Sequence, residues 1–445
     1  MQRGAGALWR LTMKEIAQSV REGRHTCVDV MRVHLARCAQ REPALHAWEH
    51  LDAERAMNAA EAADARLRSG AGARSLEGVP VGIKDIIDVA GMPTRMGSPI
   101  MHDNVAGATA ECVARLEAEG AIVLGKTITT EFAYYTPGRT RNPWNVAHTP
   151  GGSSSGSAAA VASGMVAGAL GTQTNGSVIR PAAFCGIVGY KPSFGAVPNH
   201  GTLDPWPSLD HTGVFARTVA DAAQLASLIA GPDSVIAAQV QQLAAPRFAA
   251  VRSPVWDQAQ PAQKDAFDRA IGELRAAGAI ITDRELPAGF ADAHVATRAL
   301  MAREAYACLG KLRTDRGGEM SAQLRALIDE GAAIGEAKYR DALSVQQTLK
   351  AEFAAYVAPF DAVITPPTPG EAPGTLDQTG SPAFCTIWSL LGVPAVTVPI
   401  ALGPSGLPLG LQITAAYGAE NAALGAAAWC ERVFAFVPLT DRESQ

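Results

Sequence analysis

The sequence predicts an α/β protein built on a mostly parallel or mixed sheet. Three observations carry this. Short apolar runs of strand length alternate with amphipathic stretches of helical period, most plainly at 109–124 and 246–282. Of the 445 residues 48% are hydrophobic and 18% charged, a composition that can fill a large core and that argues against global disorder. No internal repeat or low-complexity tail interrupts the pattern, so a length that allows two or three domains also suits one large unit.

Residues 11–69 read as helices. Thr26 is placed to cap one with Val30, Met31, His34, Leu35 and Cys38 at helical spacing, and ERAMNAAEAADARLR is a strong helix former stopped by Gly70. At Pro80 the texture changes: Val81, Ile83, Ile86 and Ile87 predict a strand entering the core, and it carries Lys84. Taken alone, such a lysine is expected to reach solvent from an edge strand, because charged side chains are seldom buried unpaired. Residues 109–119 predict an amphipathic helix, 121–124 a strand, and 130–148 a surface or site-lining loop rich in aromatics. Beyond a Gly/Ser/Ala-rich stretch at 149–189, a helix is expected over 218–230 with Thr218 or Asp221 at its start. Strands at 246–251 and 278–282 flank a helix at 261–277, and 290–357 is almost wholly helical in pattern. A strand at 362–365 leads into a stiff Pro-rich connector or pocket wall at 366–373. A helix near 383–391, strands at 395–400 and 410–414, and a helix from Ala419 close the chain.

Several function classes find little support. The net charge of −5 counts against nucleic acid or an anionic membrane as the main partner. The start lacks the apolar core of a signal peptide, and no window of about 18 uninterrupted apolar residues marks a membrane span. Seven scattered cysteines without a CxxC read as buried free thiols in a reducing compartment, so a cytoplasmic location is expected. Nine dispersed histidines without HExxH offer no metal site, and no GxGxxG follows a strand. Gly120 to Thr127 matches GxxxxGK[ST] letter for letter, but four apolar residues lie where a phosphate loop needs open backbone, so they are expected to be a strand.

The chemistry concentrates in 149–189. Ser153 follows Gly151-Gly152 and Ser177 follows Asn175-Gly176, both on tight turns that can expose a hydroxyl. GxSxG occurs as Gly152 to Gly156 but lacks the apolar strand of a nucleophile elbow, and no histidine downstream completes a triad. Serine with lysine remains. A lysine is a base only when neutral, which requires desolvation, and Lys84 on a core-entering segment is the candidate. A second serine can relay the proton. The turn Thr174-Asn175-Gly176-Ser177, ahead of a helix start near Val178, supplies backbone N–H donors for an oxyanion.

With these residues in view, the sequence resembles the amidase signature enzymes. The matching pieces are Gly82 to Asp85 (GIKD), Pro150 to Ala162 (PGGSSSGSAAAVA), Gly171 to Gly186 (GTQTNGSVIRPAAFCG) and Lys191-Pro192, followed by Leu391 to Pro399 and Gly406 to Gly410. The resemblance implies one large α/β domain over 1–445, a mixed sheet flanked by helices, with a signature core at about 78–220 and a helical substrate-lining region at about 290–390. It implies a Ser–cis-Ser–Lys triad: Ser177 the nucleophile, Ser153 the relay behind a cis peptide, and Lys84 the base. Ser154 supports the triad by hydrogen bonding, and an oxyanion hole forms at Thr174, Asn175, Gly176 and Ser177. No cofactor or metal is called for. Asn175 stands where many members carry Gly, and asparagine tolerates the positive φ such a turn can require. Arg180, three residues after Ser177, matches the malonamidase-like members, in which the arginine holds a substrate carboxylate; the alternative role for it is a buried ion pair closing the loop. The expected partner is a small-molecule amide, without nucleic acid or membrane, and a homodimer is one arrangement allowed. The alternatives are the A subunit of a glutamine-dependent tRNA amidotransferase and an idle binding subunit, the latter disfavoured by the intact Lys84, Ser153 and Ser177.

Overall fold

The structure, a computed structural model, describes residues 5–442; the first four residues, part of the segment read for a signal peptide, and the last three lie outside it. Among the described residues one sheet of eleven strands is formed. In chain order these are β1 (Trp48–Leu51), β2 (Pro80–Lys84), β3 (Ile122–Thr127), β4 (Gly168–Gln173), β5 (Val188–Lys191), β6 (His211–Ala216), β7 (Arg247–Val251), β8 (Ile280–Arg284), β9 (Ala362–Thr365), β10 (Ala395–Leu402) and β11 (Pro408–Thr414). Their order across the sheet is β1-β3-β2-β4-β6-β5-β10-β11-β9-β7-β8. The β2/β3, β2/β4, β7/β8 and β7/β9 pairs are parallel and the other six antiparallel, so the sheet is mixed. Helices flank it.

Most predicted elements are present. The Thr26 hydroxyl accepts from Asp29 N–H in a capping box at the start of the helix Cys27–Leu45, and the Thr218 hydroxyl likewise accepts from Asp221 N–H to cap Val219–Ala230. The strand β9 begins and ends where the sequence placed it. The phosphate-loop look-alike is β3, with Lys126 inside the strand. Three expectations need correction. Residues 11–69 are not all helical, because Trp48–Leu51 pairs with β3. The strand from Pro80 stops at Lys84; Ile86 lies in the following turn, and Ile87 makes an isolated antiparallel bridge to Thr202. Cys308 is exposed, unlike the other six cysteines.

The Gly/Ser/Ala-rich stretch folds as helix Ser155–Ala162, β4 and helix Ile179–Cys185, all three buried. Small side chains allow the close approach. A Cβ on Gly156 would stand 2.2 Å from Ala47 O and 2.4 Å from Ile128 N, and one on Gly171 would stand 2.6 Å from Ser154 Oγ. The sheet core gathers Val81, Ile83, Leu170, Phe215, Val396 and Ile413. A second cluster joins Leu300, Leu324 and Phe353 of the helical region to Tyr134, Trp206 and Trp388. The described stretch long and apolar enough to cross a membrane, Glu420–Arg442, is a helix Glu420–Phe434 that breaks at a left-handed Ala435 and buries Ala423, Leu424, Ala427 and Cys430 in the sheet core.

Candidate active site

Neighbouring parallel strands β2 and β4 end side by side, the edge of an open α/β sheet where ligand sites form. Lys84 is the last residue of β2 and is fully buried. Its Nζ lies 2.7 Å from Ser153 Oγ and 2.7 Å from Thr172 Oγ1, and no carboxylate forms an ion pair with it among the described residues. Burial pulls its pKa down to about 7, against an opposing pull from Asp210. A lone lysine was expected to reach solvent. Two hydroxyls at the end of the sheet let this one stay inside without a counter-ion.

Ser153 and Ser154 lead into the buried helix Ser155–Ala162, and the Gly152–Ser153 peptide is cis. Ser154 Oγ donates to Thr172 O at 3.2 Å and accepts from Thr172 N–H at 3.3 Å, which ties the serine turn to the strand that carries Thr172. Arg180 is buried, and its guanidinium donates to Gly380 O and, at 2.5 Å, to Gly152 O. The ion pair offered as its alternative role does not form among the described residues. Burial lowers its pKa, and among the described residues its Nε–H has no protein partner.

The second turn leaves β4. Gln173 Oε1 accepts from the N–H groups of Val178 (2.8 Å) and Ile179 (2.9 Å), fixing the start of the helix Ile179–Cys185. The Thr174 hydroxyl donates to Asp210 Oδ1, and Ser389 Oγ donates to Asn175 O. Asp210 is deeply buried, and burial raises its pKa. Among the described residues the backbone N–H groups of Thr174, Asn175, Gly176 and Ser177 donate to no protein group, so the turn presents free donors. Asn175 does not adopt the positive φ for which its tolerance was invoked. Its side chain is engaged instead: Oδ1 accepts from Thr386 Oγ1 at 2.8 Å.

Ser153, Thr174, Asn175, Ser177 and Arg180 line one small cavity of about 20 Å³. The structure thus brings together the triad candidates except that Lys84 stands behind Ser153, linked through it. Ser177 lines the cavity, and no Ser153–Ser177 hydrogen bond is formed in this state. Such contacts often tighten only around bound substrate. Sequence reasoning gave no role to Thr172 and Asp210; it named none of the far-wall residues Tyr134, Tyr135, Met301, Thr379 and Pro382 singly, though they fall in the loop 130–148 and the region of about 290–390 expected to line the site. Thr172 lay inside the quoted motif without a role, and nothing near Asp210 marked it. Among the described residues no three His, Cys, Asp or Glu side chains are grouped to hold a metal.

The Amidase family model matches residues 29–424. The A subunit of the glutamyl-tRNA(Gln) amidotransferase of Acidothermus cellulolyticus is 34% identical, covering 93% of this chain and 92% of its own. A solved amidase superposes with a TM-score of 0.88 at 31% identity, over 95% of this chain and all of the other. A chain from a vestigial protein complex bearing on the origins of an s-triazine catabolic enzyme gives 0.86 at 29% identity, over 95% and 98%. This chain belongs to the amidase family, and its fold is that of the solved amidases.

These relatives overturn the expected partners, a small-molecule amide without nucleic acid and with a homodimer as one arrangement. The curated relative is by name one subunit of an enzyme that acts on a glutamyl-tRNA. The exclusion of nucleic acid failed because it leaned on a charge summed over the whole chain, and the small-molecule partner because it leaned on a likeness to malonamidase-like members. Such a sum does not weigh against nucleic acid held by a local patch or by other subunits of an assembly.

Proposed function

We propose that this chain cleaves a primary carboxamide through an acyl-serine and does so as the amide-cleaving subunit of an amidotransferase-like assembly in the cytoplasm. One observation carries the chemistry: Lys84 is buried without a counter-ion, with its pKa at about 7, on the hydroxyl of Ser153. A neutral amine there takes the Ser153 proton as Ser153 takes that of Ser177, and Ser177 Oγ attacks the amide carbon. The N–H groups of 174–177 receive the oxyanion. The C–N bond breaks as Ser153 passes a proton to the leaving nitrogen, and ammonia departs. Water deprotonated through the same relay then hydrolyses the acyl-serine. Within an assembly, the released ammonia is handed on to the second reaction.

The assembly half is supported by full-length likeness to the A subunit of a glutamyl-tRNA(Gln) amidotransferase. Arg180 supports a carboxylate-bearing amide, since a buried guanidinium with a spare N–H and no acid of its own lines the cavity. Glutamine falls in that class, as do the small amides suggested by the narrower likeness to malonamidase-like members. Ammonia release from glutamine by the purified chain tests the chemistry: the wild type releases it and Ser177→Ala does not. Addition of the other subunits of such an enzyme with glutamyl-tRNA(Gln) tests the assembly, with amide formation on the tRNA as the expected product. Full hydrolytic activity in Ser177→Ala would overturn the first half, and no amide on the tRNA the second.

A further inference from the structure

The catalytic cavity does not end at its far wall. Tyr135, Asn175, Met301 and Pro382 also line a second cavity of about 240 Å³, which continues outward past His294 and Thr386. The inner space of about 20 Å³ admits roughly one water-sized group. With the amide head at Ser177, an acyl chain that does not turn back onto Arg180 passes between those four shared residues. Two of them, Met301 and Pro382, are apolar. Tyr135 is held at a φ of 23°, a conformation that bulky residues rarely adopt. The fourth, Asn175, is oriented by two contacts: Ser389 Oγ holds its carbonyl, and Thr386 Oγ1 donates to its Oδ1. Its Nδ2 is left without a protein acceptor among the described residues, at the threshold of the two cavities.

We propose that Asn175, oriented by Thr386, is a specificity-determining residue that selects amides whose acyl chain carries an oxygen acceptor. The inference rests on the amide-cleaving reading for the direction in which the acyl chain runs. A chain leaving the inner cavity meets the Asn175 amide N–H first, and an oxygen there gains a hydrogen bond that a methyl cannot make. An alkyl chain instead leaves a donor buried against it, and the cost of that unmade bond is the discrimination.

Two isosteric probes separate the effect from that of Arg180, because both are uncharged: 4-oxopentanamide and 4-methylpentanamide. Their binding is measured calorimetrically on the full chain carrying Ser177→Ala, so that the readout does not depend on turnover. The oxo compound is expected to bind about three- to tenfold more tightly, the range of one neutral hydrogen bond. Adding Asn175→Gly should erase that ratio, so that the two amides bind about equally. Thr386→Val, which keeps Asn175 but frees its rotation, should reduce the ratio by about half on a logarithmic scale. An unchanged ratio in Asn175→Gly, or no ratio in the parent, overturns the proposal. Ammonia release from the same two amides by the wild type is read separately, and its absence would count against the amide-cleaving reading alone.

Discussion

Lys84 and Lys126 leave the ends of adjacent parallel strands, Lys84 opposite Thr127 in register and Lys126 opposite Ile83. Both are fully buried. Their surroundings differ. Lys126 Nζ pairs with Asp85 Oδ1 at 3.2 Å and donates to Pro93 O at 3.1 Å and Thr94 Oγ1 at 2.8 Å. Among the described residues Lys84 Nζ donates to two hydroxyls and pairs with no carboxylate. Burial lowers the pKa of each, but at Lys126 the neighbouring carboxylate opposes it directly. Burial alone therefore does not make a base. A base results where burial is combined with partners that tolerate either protonation state, and hydroxyls do so because they can donate as well as accept.

The sharpest way to break this contrast is to remove each amine in turn. Lys84→Met should lower amide cleavage by about 10²- to 10⁴-fold, the usual weight of a general base, with thermal stability unchanged or raised. Lys126→Met strands Asp85 as an unpaired buried carboxyl and should cost about 3 kcal/mol or more of unfolding free energy in urea titrations, while the folded fraction keeps most of its activity. Activity lost in Lys126→Met without loss of stability would collapse the distinction.

Linkage gives a second handle. Lys84 gives up its proton at about 7 in the fold but near 10.5 when unfolded. Between those values the unfolded chain binds the extra proton, so stability from this site rises with pH across that window, and the penalty is fully present below it. Any stability advantage of Lys84→Met over the wild type should accordingly shrink between pH 7 and pH 10. An advantage that grows with pH would mean that Lys84 is held charged.

The smallest expected effect lies at Ser154. Ser154→Ala removes both contacts with the Thr172 backbone and should reduce kcat a few-fold through a loosened Ser153, with KM little changed. A change confined to KM would instead place Ser154 with substrate binding.

Much of this was legible in the chain. The segment from Pro80 announced a buried strand through its β-branched residues, and Ser153, Ser177 and Lys84 could be named from their motifs. Other features were hidden for physical reasons. The strand β4, Gly168–Gln173, is built from Gly, Ala, Leu, Thr and Gln, residues with mostly weak strand preference that pair here because β2 and β6 hold them on both sides. Trp48–Leu51 is four residues between two strong helices, and only its pairing with β3 makes it a strand. Asp210 comes from a segment distant in sequence, and no local pattern records what it meets. The role of Arg180 was undecided in the motif. In the fold it binds two carbonyls and, among the described residues, its buried Nε–H has no protein acceptor.

The relay from Lys84 through Ser153 to Ser177 can be tested most directly without choosing a substrate. The full chain is treated with a fluorophosphonate over pH 5 to pH 9, and the adduct is located and timed by mass spectrometry. The expected result is one adduct on Ser177, formed at a rate that rises with pH about a midpoint near 7 and that falls steeply in Lys84→Met. An adduct on another residue, or a rate on Ser177 that is independent of both pH and Lys84, would contradict the relay.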